Sequence, residues 1–174
     1  AYARGLASRP RIADAEIEAE ARVLAAPFER SSGESPYDVH RALQQCMGSL
    51  VGIFRAEKDL ERAIAELAEL EARAARVRIG GGRVYNPGWH LCRDLRNLVT
   101  VSQAIARSAL LRRESRGAHS RLDFPSMDSA LGKVNMCCGR EGDAMKVGPT
   151  PLPEIPPTLK KLFEPKPEPA GAKA

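Results

Sequence analysis

The residues that could do chemistry in this sequence fall in a few short stretches. His90 and Cys92, together with the adjacent Cys137 and Cys138, supply the nitrogen and sulfur donors that hold zinc. Two residues apart on a helix, side chains point about 200° away from each other, and neighbouring cysteines span a tetrahedral edge poorly. Neither pair is good chelating geometry. Ser120, His119 and Asp123 are the residue types of a nucleophilic triad, yet such close neighbours do not converge as a triad must, and no nucleophile elbow is present. Gly80-Gly81-Gly82 is followed by Arg83-Val84-Tyr85 rather than Lys and Ser/Thr, and a helical pattern precedes it. It reads as a turn between helices, not as a phosphate cradle. The sequence therefore assigns no catalytic, cofactor-binding or metal-binding residue. Cys46 and Cys92 read as small buried apolar groups, and a redox role for Cys137-Cys138 stays open as the lesser alternative.

One polar stretch carries more. From Glu114 to Pro125 the chain is charged and hinged at Gly117, a residue that adopts backbone conformations others resist. Arg113, Arg116 and Arg121 with Glu114 and Asp123 are the parts of an ion-pair network. Such a loop is either a solvated turn or a docking element, and Leu122 and Phe124 set among the charges favour docking.

Three helices must position this loop. Ser35, an N-cap with Pro36 at the first helical position, opens a helix from about Pro36 to Ala56 with Val39, Leu43, Cys46, Met47, Leu50, Ile53 and Phe54 on one face. A second follows with Leu60, Ile64, Leu67 and Ala74 inward, ending by Gly80. The third opens at Asn86-Pro87 and carries Cys92, Leu95, Leu98, Val99, Ser102, Ile105, Ala106, Ala109 and Leu110 on one stripe. Three one-sided helices hide their stripes together as an antiparallel bundle. The expected fold is all-α: a spectrin-repeat-like three-helix bundle with an extra leading helix, about Ala13 to Ala26, and a loop-rich C-terminal extension. Val134 to Cys138 reads as a short strand at most. Eight of the thirteen prolines lie between Pro149 and Pro169, which favours extended backbone there, with Leu159, Leu162 and Phe163 able to dock one turn. The expected organisation is a leading helix and linker (1–34), the bundle (35–113), a docking loop and short extension (114–148) and a proline-rich tail (149–174).

Composition narrows the class. At 174 residues, 43% hydrophobic, 28% charged and with four cysteines, the chain is neither collagen-like nor a disulfide scaffold, and it can bury a core. No apolar run approaches the roughly 20 residues that span a bilayer, so no direct membrane insertion is expected. Ala1 to Pro10 lacks the apolar block of a secretory signal, which points to a cytoplasmic protein with reduced thiols. The net charge of +5 comes mostly from an Arg- and Ala-rich composition, a weak reason to expect nucleic acid.

Taken together, YDVHRALQQCMGSLVGIFRAEKDLERA (37–63) and DLRNLVTVSQAIARSALLRRESRGAHSRLDFP (94–125) resemble the carboxy-terminal region of the flavoprotein subunit of succinate dehydrogenase and fumarate reductase, a superfamily that includes L-aspartate oxidase. The S-R-G-A-H-x-R-x-D-F-P pattern at Ser115 to Pro125 is specific to that superfamily, and the likeness covers most of residues 36 to 138. The resemblance implies a helical domain that packs on the FAD-binding domain of its own polypeptide and supports assembly with the iron-sulfur subunit. The parent would transfer hydride between flavin and succinate or fumarate, peripherally attached to the inner face of the cell membrane. FAD and the substrate-handling residues would lie upstream, leaving no cofactor in this chain. By the same resemblance Arg113, Ser115, Arg116, Gly117, His119, Arg121 and Asp123 form the domain-docking loop. The competing expectation is a free-standing helical adaptor that binds a protein or nucleic acid through this basic loop.

Overall fold

A computed structural model describes residues 11–142, 144–160 and 162. Pro10 and Phe163, and the proline-rich run from residue 163 onward, lie outside the described residues. The elements are α1 (Asp14–Glu29), α2 (Pro36–Leu50), β1 (Phe54–Arg55), α3 (Glu57–Ala74), α4 (Pro87–Leu111), β2 (Ser120–Arg121), a single 3₁₀ turn (Leu131–Lys133), β3 (Val134–Glu141), β4 (Ala144–Pro151) and α5 (Pro157–Lys160).

Helices α2, α3 and α4 pack on one another, as their one-sided patterns require. Ser35 accepts a hydrogen bond from the Tyr37 amide, and Asn86 accepts one from the Trp89 amide, so both N-termini are capped where a polar residue precedes proline. The core joins Val39, Leu43, Cys46 and Leu50 of α2 to Leu60, Ala63, Leu67 and Leu70 of α3, and to Leu95, Val99, Ala106 and Ala109 of α4.

The structure departs from the all-α expectation in its two small sheets. The mostly helical chain carries a parallel pair, β1 with β2, and an antiparallel hairpin, β3 with β4, laid against α4. The strand expected over Val134–Cys138 runs on to Glu141, because Gly142, at φ 60°, turns the chain back. Its partner includes Pro149 and Pro151, the first two prolines of the run; proline is tolerated because an edge strand needs no donor on its outer side.

Two helix ends also differ. Helix α2 stops at Leu50 rather than near Ala56, and Ile53 and Phe54, expected inward, are 71% and 69% exposed. Helix α3 stops at Ala74, and the chain continues extended with Val77 and Ile79 buried on one side. The amides of Arg78 and Ile79 bond to the carbonyls of Glu34 and Pro27, which ties this extended segment to the end of α1 and to the linker that follows it. On α4, Leu98 and Ile105 fall at the stripe's margin and stay 38% and 43% exposed.

Candidate functional site

The loop after α4 is a clasp over three helix ends. The last turn of any helix leaves carbonyls without intrahelical partners, and these attract cations and donors. At the end of α4, Arg121 Nη1 donates to the carbonyls of Ala109 (2.9 Å), Leu110 (3.2 Å) and Arg112 (3.4 Å). Its other face forms a two-pronged pair with Asp123, Nε to Oδ1 and Nη2 to Oδ2, both at 2.7 Å. Arg121 is only 1% exposed, so a fully charged side chain sits inside the protein with every direction occupied. The Phe124 ring lies 4.9 Å from its Cζ, adding a cation–π contact.

Asp123 reaches a second helix. Its Oδ2 accepts the amide of Glu57 at 2.9 Å, which supplies the N-terminal cap of α3 that Ala56 cannot. The Arg121 guanidinium and the Glu57 amide hold the Asp123 carboxyl well below the usual carboxylate range.

His119 joins the third end. Arg55 Nη1 lies 2.7 Å from His119 Nδ1, and arginine is always a donor, so Nδ1 accepts and the proton sits on Nε2, which donates to the Arg112 carbonyl at 3.0 Å. Arg55 Nε in turn donates to the carbonyls of Gly52 (2.8 Å) and Val51 (3.2 Å), where the chain leaves α2. Burial, assisted by the charges of Arg55, Arg121 and Arg112, pushes the imidazole below its ordinary value of 6.5, while its hydrogen bond to the Arg112 carbonyl opposes this. It is a neutral link between two helix ends rather than a general base. The β1–β2 bridge, with Arg55 opposite Arg121 and the Leu122 amide bonded to the Arg55 carbonyl at 2.8 Å, runs through the same place.

Glu114 anchors the other side of the loop. It is fully buried, yet it accepts from Arg112 Nη1, from Arg116 Nη2 (3.0 Å) and from the Asp128 amide (2.8 Å). The hydrogen bond from Arg116, the Asp128 amide and Arg112 together lower its carboxyl from 4.5 to about 2, against the opposing effect of burial. Ser115 Oγ accepts the Arg121 amide at 2.8 Å and lies 2.9 Å from the Phe124 carbonyl, so this hydroxyl holds backbone and has no base beside it. Arg116 and His119 exchange backbone bonds at 2.8 and 3.0 Å around Gly117, whose φ of 58° closes the turn. Arg113, 59% exposed, pairs with Glu57 at 2.8 Å.

All seven loop residues read from the sequence thus gather at one end of the bundle. Glu114 is already part of the network read from the sequence; what sequence reasoning missed is Arg55, Glu57 and Arg112. Arg112 adjoins the loop in sequence, whereas Arg55 and Glu57 become neighbours through the β1–β2 pairing. The pairs His90/Cys92 and Cys137/Cys138 do not meet, and among the described residues no three His, Cys, Asp or Glu side chains could share a metal ion. Gly80 and Gly82 lie in an inter-helix turn held by Asn86 Nδ2, which bonds their carbonyls at 3.0 and 2.9 Å.

Comparison with known proteins gives this architecture a context. The profile of a family described as fumarate reductase flavoprotein C-term matches residues 40–162. The fumarate reductase flavoprotein subunit of Mycobacterium tuberculosis is 33% identical over 144 residues, 78% of this chain and 25% of that protein. Among solved structures, the Mycobacterium smegmatis Sdh1 complex in its apo form superposes with a TM-score of 0.84 at 40% identity, covering 94% of this chain and 28% of that one. E. coli quinol fumarate reductase superposes with a TM-score of 0.71 at 28% identity, over 85% and 27%. The chain spans about a quarter of the length of these relatives.

Proposed function

Since this chain belongs to the fumarate reductase flavoprotein C-terminal family, we propose that its clasped bundle packs against the FAD-binding part of the parent subunit and presents it to an iron-sulfur subunit. The chain is the C-terminal domain of a succinate dehydrogenase or fumarate reductase flavoprotein subunit. In this reading the parent is the oxidoreductase that interconverts succinate and fumarate with FAD, and this domain contributes no group to the reacting atoms.

The observation that carries the docking role is the contrast between the clasp and its rim. Arg121, Glu114, Asp123, Ser115 and His119 have their polar groups satisfied within the chain, which makes the loop rigid. Around them Ile53, Phe54, Leu122 and Met127 stand 71%, 69%, 65% and 70% exposed. Rigid polar structure edged by exposed large apolar side chains is the anatomy of an interface awaiting its partner. Arg113, Arg116 and Gly117 are the loop residues left accessible to touch it, whereas Arg121 and Asp123 act by holding the loop's shape. No helix among the described residues is long and apolar enough to cross a membrane, so association with the inner face of the cell membrane would come through other subunits.

Reconstitution tests this. The upstream FAD-binding part, expressed alone, should show little succinate-dependent dye reduction, and adding this chain should restore it. Full activity of the upstream part without the chain would remove the proposed role.

A further inference from the structure

Away from the clasp, a seam runs between α1 and the bundle. Helix α1 meets the bundle at separate points. Pro27 is buried, Trp89 Nε1 donates to the Leu24 carbonyl at 2.7 Å, and Arg30 Nη1 donates to the Val77 carbonyl at 2.6 Å. Between these points the facing residues are small, among them Ala26, Ala74, Ala75 and Val99. The helices are held apart at their contacts and too small-sided to fill the space between. A cavity of about 560 Å³ results, within the range that holds small organic molecules.

The rim of this cavity is cationic. Arg22, Arg30, Arg96 and Glu71 line it, three positive groups against one negative. Glu71 accepts a hydrogen bond from Gln103 Nε2 at 2.8 Å, and Arg30 is held by Val77. Arg22 and Arg96 form no ion pair and no side-chain hydrogen bond among the described residues. Cys92 completes the wall, its thiol kept protonated by burial. We propose that this cavity binds an amphipathic organic anion, its apolar body on the alanine and valine floor and its carboxylate between Arg22 and Arg96. A cation would meet like charge, and a purely apolar guest would cover two guanidinium groups without pairing them. Arginine forks match a carboxylate in two-pronged fashion, which favours that head group.

The test is calorimetric titration of the 174-residue chain with decanoate and, separately, with 1-decanol. Decanoate should bind at one site per chain, about tenfold or more tighter than the neutral alcohol. The Arg22→Gln/Arg96→Gln variant should remove that difference while melting like the parent chain, because both side chains are exposed. Bound decanoate should also slow alkylation of Cys92, read by peptide mass mapping, and leave the exposed Cys137 unaffected. Absence of saturable decanoate binding would overturn the proposal. So would equal affinity for the alcohol, unchanged affinity in the double variant, or binding that leaves Cys92 alkylation untouched.

Discussion

Replacing Arg121 with Met removes the centre of the clasp while keeping most of the side chain's bulk. Three carbonyls at the end of α4 lose their shared donor, and the Asp123 carboxylate loses a partner that held both its oxygens. A buried acceptor left alone costs about 1–3 kcal/mol, and breaking a buried ion pair from one side costs about 3–5 kcal/mol. Asp123 is partly exposed and can rehydrate, so the two costs do not simply add, and the total is roughly 3–5 kcal/mol. Against a typical domain stability of about 5–15 kcal/mol this is a large loss. For a domain of this size it corresponds to a fall in Tm of roughly 6–20 °C. Thermal unfolding followed by circular dichroism is the assay. Arg121→Lys should fall between the two, since one ammonium cannot serve Asp123 and the α4 carbonyls at once. Removing Asp123 as well should cost much less than the sum of the two single changes, because the residues act as a pair. An Arg121→Met chain that melts within a degree or two of the unaltered one would refute the claim that this arginine holds the helix ends.

Other consequences follow from the same geometry. Glu114 ionises in the folded chain at about 2 rather than its ordinary 4.5. Its stabilisation is therefore complete above about pH 5 and is lost as pH falls toward 2, a difference of roughly 3 kcal/mol. Urea unfolding across that window should lose this slope in Glu114→Gln, and a slope identical to the unaltered chain would sink the assignment. His119 is depressed below 6.5, so the folded state binds fewer protons than the unfolded one, and stability should decline as pH drops through and below 6.5. An imidazole NMR titration with its midpoint at or above 6.5 would contradict the neutral link. At Gly33, a Cβ would stand 2.6 Å from the Arg76 carbonyl oxygen and 2.8 Å from the Arg78 Cβ. Gly33→Ala should cost about 1–3 kcal/mol by forcing these packed segments apart, read as a lowered urea midpoint.

The mostly helical character was legible in the sequence because two signals coincided. Ser35-Pro36 and Asn86-Pro87 mark helix starts, and the stripes through Leu43 and Leu95 begin just where those starts require. Periodicity failed at Ile53 and Phe54 because helix α2 ends at Leu50 and the chain turns into β1, which leaves both side chains exposed. The hairpin was half visible: Val134–Cys138 reads as a strand, but its partner is disguised by Pro149 and Pro151. The S-R-G-A-H-x-R-x-D-F-P pattern marks the clasp residues, yet the burial of Arg121 was hidden. A charged residue in a polar loop reads as solvated until the unfilled carbonyls at the end of α4 are seen to need it.

The central claim is that this domain docks on the FAD-binding part of its parent through the rim around the clasp. Its most direct measurement is size-exclusion chromatography of the separately purified chain and upstream part, mixed and followed by flavin absorbance. Co-elution is expected, abolished by Phe54→Asp with Leu122→Asp and retained when Lys146, an exposed hairpin residue paired with Glu141, is changed to Ala. Separate elution of the two parts, or co-elution untouched by the rim substitutions, would contradict it.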